Sequence, residues 1–430
     1  MRVIVAHNFY QQPGGEDQVF AAECRMLEQH GHDVTRLEVH NDDVAYMGKL
    51  ALARATFWSK DSYERVRALV REKRADVVHF HNTFPLLSPA VYYAARAEGA
   101  AVVQSLHNYR LLCAGATLFR NGAVCEKCVG SKVNLPAAVY GCYRGSHATS
   151  AVTGAMLAGH RLAGTWNRAV DLYLTLSDFA RSKFIEGGFE ANRIITKPNC
   201  VDPDPKQGAG KGHYALFAGR LTEEKGVATL LDAWKLIGRT LPLRIVGDGP
   251  LMEIVREAAR TMPGVEYHGR RPTEEVHRLM GNAKLVVVPS IWYEGMPLTI
   301  IEAYATGTPV LASRLGAMAE LVEHDRTGWL VTPGRAAHMA AQVACLLTQP
   351  EQKWNAVRAA ARRRYEAEFT ADAIYARLMS AYEIAIQRRH TGSNAGATPA
   401  SSSMQFESAG AAPEKTSLCA ARQGMKEVLS

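Results

Sequence analysis

Residues 285–312 constrain the fold more than any other stretch, because they have the pattern of a strand, a loop, a helix and a second strand. The apolar run from Leu285 to Val288 is short enough for a fully buried strand. A helix is predicted to start at Pro297, where a missing N–H costs nothing, and to end near Gly307. Such a unit is typical of an open parallel α/β sheet, in which ligands bind at the carboxyl ends of the strands.

Two carboxylates lie in this unit, Glu294 in the loop and Glu302 in the helix. A carboxylate accepts two hydrogen bonds, which suits a pair of vicinal hydroxyls, and the free amides at the start of a helix suit an anionic group. The spacing therefore indicates a site for a sugar nucleotide. Two unrelated glutamates, one in a solvated loop and one on a helix face, explain the same spacing without a ligand, and that alternative stays open.

A second group of candidate residues follows the predicted strand from Tyr214 to Ala218. Gly219 ends this strand, and Arg220 and Lys225 occupy the turn and the start of the next helix. Two cations beside a helix N-terminus suit a diphosphate, with arginine supplying a planar fork of donors and lysine a point charge. Two glutamates between these cations leave a second interpretation, an ordinary pair of surface cations.

Taken in order, these motifs resemble the retaining glycosyltransferases of family 4, the glycosyl transferases of group 1. The matching residues are Gly219-Arg220-Leu221 with Lys225-Gly226, Val246-Gly247-Asp248-Gly249-Pro250, and Glu294-Gly295 with Glu302. The resemblance runs from Met1 to about residue 388. It implies the GT-B fold, an α/β fold of two Rossmann-like, doubly wound parallel-sheet domains that face a central cleft.

The resemblance also implies roles for individual residues. Catalytic roles fall on His107, Glu294, Arg220 and Lys225. The donor, a nucleoside diphosphate sugar, is expected to contact residues of both domains: Gly14, Gly15, Gly219, Arg220, Lys225, Gly295, Met296, Pro297, Leu298 and Glu302. No cofactor is expected in catalysis. The paired glycines are not Gly-x-Gly-x-x-Gly, so the dinucleotide fingerprint of an oxidoreductase is absent.

Net charge narrows the class of partners. The chain has 430 residues and a formal charge of +8, which suits nucleic acid or an anionic membrane face. No nucleic-acid-binding motif is present, and no run reaches the roughly 18 apolar residues of a membrane span. The basic segment from Lys49 to Arg74 fits a helix lying on a membrane, although such a segment is more often an ordinary solvated helix face. We therefore expect a cytoplasmic protein in peripheral contact with the inner face of the membrane.

Four of the eight cysteines lie close together in the sequence. Cys125 and Cys128 have the spacing of a chelating pair, and Cys113 and Cys142 flank them. In a reducing compartment such thiols favour a metal over disulfides. A structural zinc site is therefore one interpretation of this loop, and scattered free or buried thiols are the other.

Composition and pattern divide the chain into five parts, and the resemblance implies the roles of the two domains and the crossing of the last helix. Residues 1–200 are expected to form an acceptor-binding domain that includes the cysteine loop, 113–142. The Pro-, Gly- and Lys-rich residues 201–213 form a linker, and 214–369 form the nucleotide-sugar domain. Residues 370–389 are expected to be a helix that crosses back to the first domain. The tail, 390–430, is rich in Gly, Ser and Ala and is predicted to be disordered.

These observations predict a hexosyltransferase that uses a nucleoside diphosphate sugar. Its acceptor is expected to be a glycan or a lipid-linked sugar in cell-surface polysaccharide synthesis, and the resemblance implies transfer with retention of configuration. Two other classes remain open. One is another GT-B enzyme, such as a sugar-nucleotide epimerase, and the other is a non-catalytic protein that binds sugar nucleotides or interacts through the cysteine loop.

Overall fold

Two parallel β-sheets organise the chain. The structure is a computed structural model that describes residues 1–11 and 14–391. Each sheet has six strands, and a separate two-stranded antiparallel hairpin lies in the cysteine loop. The arrangement confirms the predicted GT-B class of α/β fold.

The first sheet has the strand order β2-β1-β3-β4-β7-β8. Every residue of β3 and β4 is buried, because helices cover both faces of the sheet. The eight strands of this half, with the hairpin as β5 and β6, are β1 Arg2–Phe9, β2 Asp33–His40, β3 Val77–Asn82, β4 Ala101–Leu106, β5 Phe119–Arg120, β6 Ala123–Val124, β7 Leu172–Thr175 and β8 Ile194–Thr196. Its helices are α1 Gly15–Gln29, α2 Lys49–Phe57, α3 Lys60–Lys73, α4 Ala90–Ala97, α5 Leu135–Tyr140, α6 His147–Leu162, α7 Thr165–Arg168 and α8 Asp178–Glu186.

The second sheet has the order β11-β10-β9-β12-β13-β14 and is also parallel. Its strands are β9 Ala215–Ala218, β10 Leu243–Val246, β11 Val265–Gly269, β12 Leu285–Val288, β13 Val310–Ser313 and β14 Gly328–Val331. The helices that follow are α9 Val227–Ile237, α10 Met252–Thr261, α11 Thr273–Asn282, α12 Leu298–Ala305, α13 Gly316–Leu321, α14 Ala336–Leu347, α15 Glu351–Glu368 and α16 Ala371–Thr391. The unit β12–α12–β13 is the strand–loop–helix–strand motif expected at 285–312.

Some predicted elements differ in their limits. Helix α1 begins at Gly15, because Gly14 is extended and its N–H donates to the Asp17 carboxylate at 2.7 Å. The basic segment is two helices, α2 and α3, since Ser59 caps the second with its hydroxyl. Strand β3 continues to Asn82, so His79 and His81 both lie within it.

The predicted linker packs against the second domain. Gly208 donates to the carbonyl of Thr306, and Gly210 donates to that of Gly281. Asp204 accepts from Arg362 of α15 at 2.7 Å. Helix α16 then places apolar side chains against the first sheet, and it ends two residues beyond the predicted limit. From residue 392 onward, the predicted tail lies outside the described residues.

Direct contacts join the two domains. The carboxylate of Glu320, on α13, accepts the backbone N–H groups of Asp178 and Phe179 at 3.0 and 2.8 Å, and so caps α8 of the other domain. Ser177 donates to the carbonyl of Gly295 at 3.2 Å. Among the described helices, none combines the length and apolar character that a membrane span requires.

Candidate active site

A cavity of about 720 Å³ lies between the two sheets, at the carboxyl ends of their strands. Parallel α/β sheets bind ligands at this edge. The first domain contributes Gly14, Gly15 and His107 to the lining, together with Tyr10, Glu16 and Asn108. The second contributes Gly219, Arg220, Lys225, Glu294, Gly295, Met296, Pro297 and Leu298. The structure thus brings together residues that are up to about 290 positions apart in the chain.

Lys225 and Glu294 form the central polar contact of the cavity. The Lys225 ammonium donates to both oxygens of the Glu294 carboxylate, at 2.7 and 3.0 Å, and Ser290 donates to the first oxygen at 2.6 Å. Burial alone would raise the pKa of Glu294, but the charge and hydrogen bond of Lys225, with Ser290, outweigh it, so this pKa lies below its usual value. The site therefore holds an ionised carboxylate and a fixed ammonium.

The turn that carries Lys225 depends on a glycine. Gly226 has a φ of +72°, and a Cβ there would lie 2.0 Å from the carbonyl oxygen of Pro289. Only glycine fits this left-handed position so close to another backbone. Lys225 is thereby held beside the loop after β12, whereas Arg220 is exposed at the rim of the cavity.

The start of α12 faces the cavity. Pro297 is the residue before its first turn, and Ile300 donates to its carbonyl at 3.0 Å, so the N–H groups of Leu298 and Thr299 are the ones without a partner within the helix. Gly295 allows the approach of the first domain, because a Cβ there would lie 2.7 Å from the carbonyl oxygen of His107. Free amides and the positive end of a helix dipole suit an anionic group.

Glu302 occupies a different place from the other predicted donor contacts. It is one helical turn beyond Leu298 and does not belong to the residues that line the cavity. Its carboxylate lies 3.5 Å from Nε2 of His277 on α11, with 23% of the side chain exposed. The structure therefore sets Glu302 behind the start of α12, beside a histidine that the sequence did not single out.

The rim formed by the first domain carries a carboxyl group that sequence reasoning missed. Glu16 directly follows Gly15, and Asn108 donates to it at 3.4 Å and to the Tyr10 hydroxyl at 3.3 Å. Burial raises the pKa of Glu16 to about 7. The sequence predicts a role for the two glycines before it, and a carboxylate at the first turn of a helix is a further signal that could have identified Glu16.

His107 is backed by buried polar side chains that were also missed. Its Nε2 lies 2.9 Å from Nδ1 of His81, which is 2% exposed. Burial holds the pKa of His107 well below its usual range, and the neighbouring His81 acts in the same direction. The alternation His79-Phe80-His81 on β3 was a usable signal, because alternate residues of a strand share a face.

The four clustered cysteines surround a second, smaller cavity. Cys113, Cys125, Cys128 and Cys142 all line it, and all four are free thiols. Burial raises the pKa of Cys128 to about 11, and the other three thiols act in the same direction. In the described part of the chain, one ligand atom from each of Glu23, His79 and His81 lies within 4.8 Å of the other two. Among the same described residues, the four thiols do not form such a group.

Comparison with known proteins places both halves of the chain. Residues 3–200 match the glycosyl transferase 4-like domain, and residues 212–349 match the glycosyl transferases of group 1. The chain is 29% identical over 229 residues to an amylovoran biosynthesis glycosyltransferase of Erwinia amylovora, and 28% identical over 229 residues to a putative colanic acid biosynthesis glycosyltransferase of Escherichia coli. Each match covers 50% of this chain and 56% of the relative, so this chain spans little more than half the length of these relatives.

Solved structures share the fold. The Anabaena protein HepE in complex with UDP aligns with a TM-score of 0.64 at 19% identity, over 88% of this chain and 99% of HepE. Sucrose-phosphate synthase of Thermosynechococcus elongatus aligns with a TM-score of 0.65 at 17% identity, over 92% and 100% of the two chains. With both sheets, the cleft and both domain matches in agreement, the chain belongs to the group 1, family 4-type glycosyltransferases of the GT-B fold.

Proposed function

We propose that this protein transfers a hexose from a nucleoside diphosphate sugar to a glycan or lipid-linked acceptor, with retention of configuration, in the synthesis of a cell-surface polysaccharide. The observation that carries the proposal is the position of Lys225, Arg220 and the start of α12 on one wall of the cavity, with His107 on the opposite wall. Cations and free amides on one side suit a diphosphate, and polar side chains on the other suit sugar hydroxyls.

Electrostatic stabilisation of the leaving group is the main catalytic effect in this proposal. Negative charge grows on the diphosphate as the bond to the sugar breaks, and Lys225 and Arg220 neutralise it. Lys225 is already held by Glu294, so little reorganisation is needed at the moment of reaction. Glu294 and His107 then contact hydroxyls of the donor sugar, as the family resemblance implies.

The identity of the donor is suggested by a protein of the same fold. HepE has been crystallised with UDP and with UDP-glucose. We infer that the nucleotide of this chain's donor binds on the wall formed by the second domain, where Gly219 and residues 295–298 line the cavity. The two relatives named for amylovoran and colanic acid synthesis support a polysaccharide as the product.

We propose in addition that the first domain touches an anionic membrane. Helices α2 and α5 both contact α6, and these three helices expose large apolar side chains: Leu50 65%, Leu135 64%, Val139 58% and Leu162 74%. Exposed lysines accompany them at Lys49, Lys60 and Lys132. Apolar side chains edged by lysines bind an interface by burial together with attraction to anionic lipids.

The transfer is tested with the full chain, a panel of nucleoside diphosphate sugars and a lipid extract as acceptor. We expect one donor to be consumed only when acceptor is present, and proton NMR of the product to show the anomeric configuration of the donor. Conversion of a donor without acceptor would instead indicate an epimerase or a hydrolase. Donor binding without conversion under all conditions would indicate a binding protein, and inversion would overturn the retaining mechanism.

The membrane contact is tested by co-sedimentation with vesicles of phosphatidylglycerol and phosphatidylcholine. Leu50→Glu with Leu135→Glu should abolish sedimentation of the protein. Leu236→Glu is the matched control, because Leu236 is 65% exposed on a helix of the second domain. Equal sedimentation of all three proteins would overturn this part of the proposal.

A further inference from the structure

Four buried polar side chains behind His107 have no part in the proposed function. Glu23 of α1, His79 and His81 of β3, and Lys197 just after β8 are each at most 2% exposed. Burying charged groups is costly unless they are paired. Their presence at this depth therefore requires a specific arrangement, and that arrangement reaches the cavity through His81 and His107.

The contacts form a chain from Lys197 to His107. The Lys197 ammonium donates to Oε1 of Glu23. The other carboxylate oxygen, Oε2, lies 3.4 Å from Nε2 of His81 and 3.7 Å from Nδ1 of His79. In the described residues Oε2 and the His81 Nε2 are buried and face each other without an aligned hydrogen bond to any partner. Nδ1 of His81 then lies 2.9 Å from Nε2 of His107. The four side chains come from four segments of the first domain, namely the residues after β8, helix α1, strand β3 and the residues after β4.

Charge balance assigns the protons along this chain. Glu23 and Lys197 neutralise each other, so a charged His81 would leave a net positive charge in a buried cluster. A carboxylate only accepts hydrogen bonds, so neutral His81 carries its proton on Nε2, toward Glu23. Nδ1 of His81 is then an acceptor, and His107 must donate to it from Nε2. Nδ1 of His107 is left without a proton and is the ring nitrogen available to a ligand.

His79 and His81 differ in their partners. Both ring nitrogens of His79 face hydroxyls, with Nδ1 2.9 Å from the Tyr382 hydroxyl and Nε2 2.8 Å from that of Ser105. A hydroxyl donates or accepts as required, so these contacts impose no tautomer. His79 thus joins the cluster to α16, whereas His81 is the residue that connects Glu23 to His107.

A metal ion is the rival occupant of the cluster. One ligand atom from each of Glu23, His79 and His81 lies within 4.8 Å of the others. However, the Lys197 ammonium already occupies one oxygen of the only carboxylate in this group. A divalent cation on the other oxygen would sit beside a buried positive charge, which is unfavourable at low dielectric. The observations therefore favour a hydrogen-bonded relay over a metal centre.

We propose that Lys197, Glu23 and His81 are positioning residues that hold His107 in the tautomer protonated at Nε2, so that its Nδ1 accepts a hydrogen bond from a hydroxyl of the ligand. The tautomer of His107 does not depend on the proposed function, and the identity of the ligand as a donor sugar rests on it. The proposal explains why a lysine and a glutamate are buried together about two side chains away from the cavity. Their pairing leaves an ionised oxygen facing His81, which places the His81 proton on Nε2 and so sets the direction of the hydrogen bond between His81 and His107.

The test is the tautomer of His107, observed by two-bond 1H–15N correlation NMR on the full chain labelled with [15N]histidine. The signals of His107 are assigned as those lost in His107→Gln. In the wild type we expect a proton on Nε2 and none on Nδ1. A wild-type ring protonated at Nδ1, or at both nitrogens, would overturn the proposal without any variant. Zinc or another metal retained by the wild type and lost with Glu23→Gln would also overturn it.

Glu23→Gln provides the sharper experiment, because it should reverse the relay. Lys197 still needs an acceptor, so the amide oxygen should face Lys197 and the amide NH₂ should face His81. His81 then accepts at Nε2 and donates from Nδ1, and His107 is forced into the tautomer protonated at Nδ1. We expect this switch, with turnover about 10-fold lower or more, as for loss of one buried hydrogen bond. An unchanged tautomer in a folded variant would refute the relay.

A control separates this effect from the general loss of a buried contact. His160 is another buried histidine of the first domain, bonded to Thr165 and to the carbonyl of Phe57 at 2.9 Å each. His160→Gln should leave the His107 signals unchanged. Because the NMR result needs no substrate, failure to find a donor would count against the proposed function alone, whereas a wrong tautomer would count against the relay alone.

Discussion

Lys225 and Glu294 show how a motif becomes a site at the scale of single residues. Each follows a buried strand of the same sheet, and the close packing at Gly226 and Gly295 brings them together and sets them opposite the first domain. The ammonium is held before any ligand binds. A preorganised charge of this kind acts on the transition state without a reorganisation cost.

Removal of either cation should therefore slow transfer. Lys225→Ala and Arg220→Ala are each expected to lose turnover by about 100-fold or more, the usual cost of one preorganised electrostatic contact. The matched control is Lys235→Ala, since Lys235 is 60% exposed on α9 and pairs with Asp232 on the same helix. Initial rates at saturating donor measure the effect. Rates near wild type in both site variants would remove these residues from the mechanism.

Glu302 gives a second prediction, because its assigned role comes from the family resemblance alone. If it holds the ribose, Glu302→Gln should weaken binding of the nucleoside diphosphate by about 1–3 kcal/mol, the cost of a lost hydrogen bond to a charged group. Calorimetry measures this. Glu253→Gln, on the exposed face of α10, is the control. If Glu302→Gln and Glu253→Gln bound the nucleoside diphosphate equally well, Glu302 would be a partner of His277 and would not hold the ribose.

Glu16 predicts a dependence on pH. Its pKa in the folded protein is about 7, raised by burial, whereas an unfolded glutamate has a pKa of about 4.3. The folded state therefore binds the extra proton, and its contribution to stability is complete below the unfolded pKa and is lost as the pH rises through about 7. The melting temperature of Glu16→Gln should rise relative to wild type between these two pH values and level off above them. If the melting temperatures of Glu16→Gln and wild type changed in parallel with pH, the raised pKa of Glu16 would be contradicted.

Single residues also mark the limit of sequence reasoning. Glu294, Arg220, Lys225 and the residues at the start of α12 were predicted to lie near one ligand, because each follows a strand that ends at the same edge. The pair Glu23 and Lys197 could not be found this way, since their side chains meet only when α1 and the segment after β8 pack together. Glu16 could have been found from the sequence, because it directly follows the two glycines that the sequence predicts to contact the donor.

At the scale of elements, buried strands were the most predictable. Strands β9, β12 and β13 are short, largely apolar runs with turn residues at their ends, so their positions follow from the pattern. Helix starts were less predictable, because a cap such as Asp17 bonding Gly14 depends on side-chain geometry. The position of Glu302 behind α12 also follows from helix geometry that spacing alone does not define.

The cysteine loop supplies a prediction at this scale. Its four thiols line one cavity, and we expect a zinc ion to draw them into a tetrahedral thiolate site, with about one equivalent of metal per chain. Elemental analysis of the reduced protein measures this, and Cys128→Ser should lose the metal. Cys200→Ser is the control outside the loop. Freshly purified protein without zinc would establish these thiols as packing residues.

At the scale of the whole molecule, α16 connects the end of the second domain to the first. Ile374, Leu378, Tyr382 and Ala385 are buried in one cluster with Val3, Val5 and Val103 of the first sheet. The family resemblance led us to expect this crossing, although propensity alone predicts only a helix. Tyr382 also bonds His79, so the same helix closes the polar cluster behind His107.

The last prediction concerns what α16 contributes to stability. Burial of one large apolar side chain is worth about 1.5–3 kcal/mol, so loss of the whole helix removes an amount comparable to the 5–15 kcal/mol that stabilises a typical domain. A chain that ends at residue 369 should therefore be unfolded or insoluble. A chain that ends at residue 391 should keep its melting temperature and its activity. Loss of transfer on removal of residues 392–430 alone would instead give the tail a functional role.

Point variants test the same contact without deletion. Leu378 is completely buried, and Leu378→Ala should lower the free energy of unfolding by about 2–5 kcal/mol, as for other large-to-small changes in a core. Ser380→Ala, on the exposed face of the same helix, should change it little. Urea unfolding followed by circular dichroism measures both. If Leu378→Ala were as stable as the control, the helix would be a covering element rather than part of the first domain's core, and a chain ending at residue 369 should then fold.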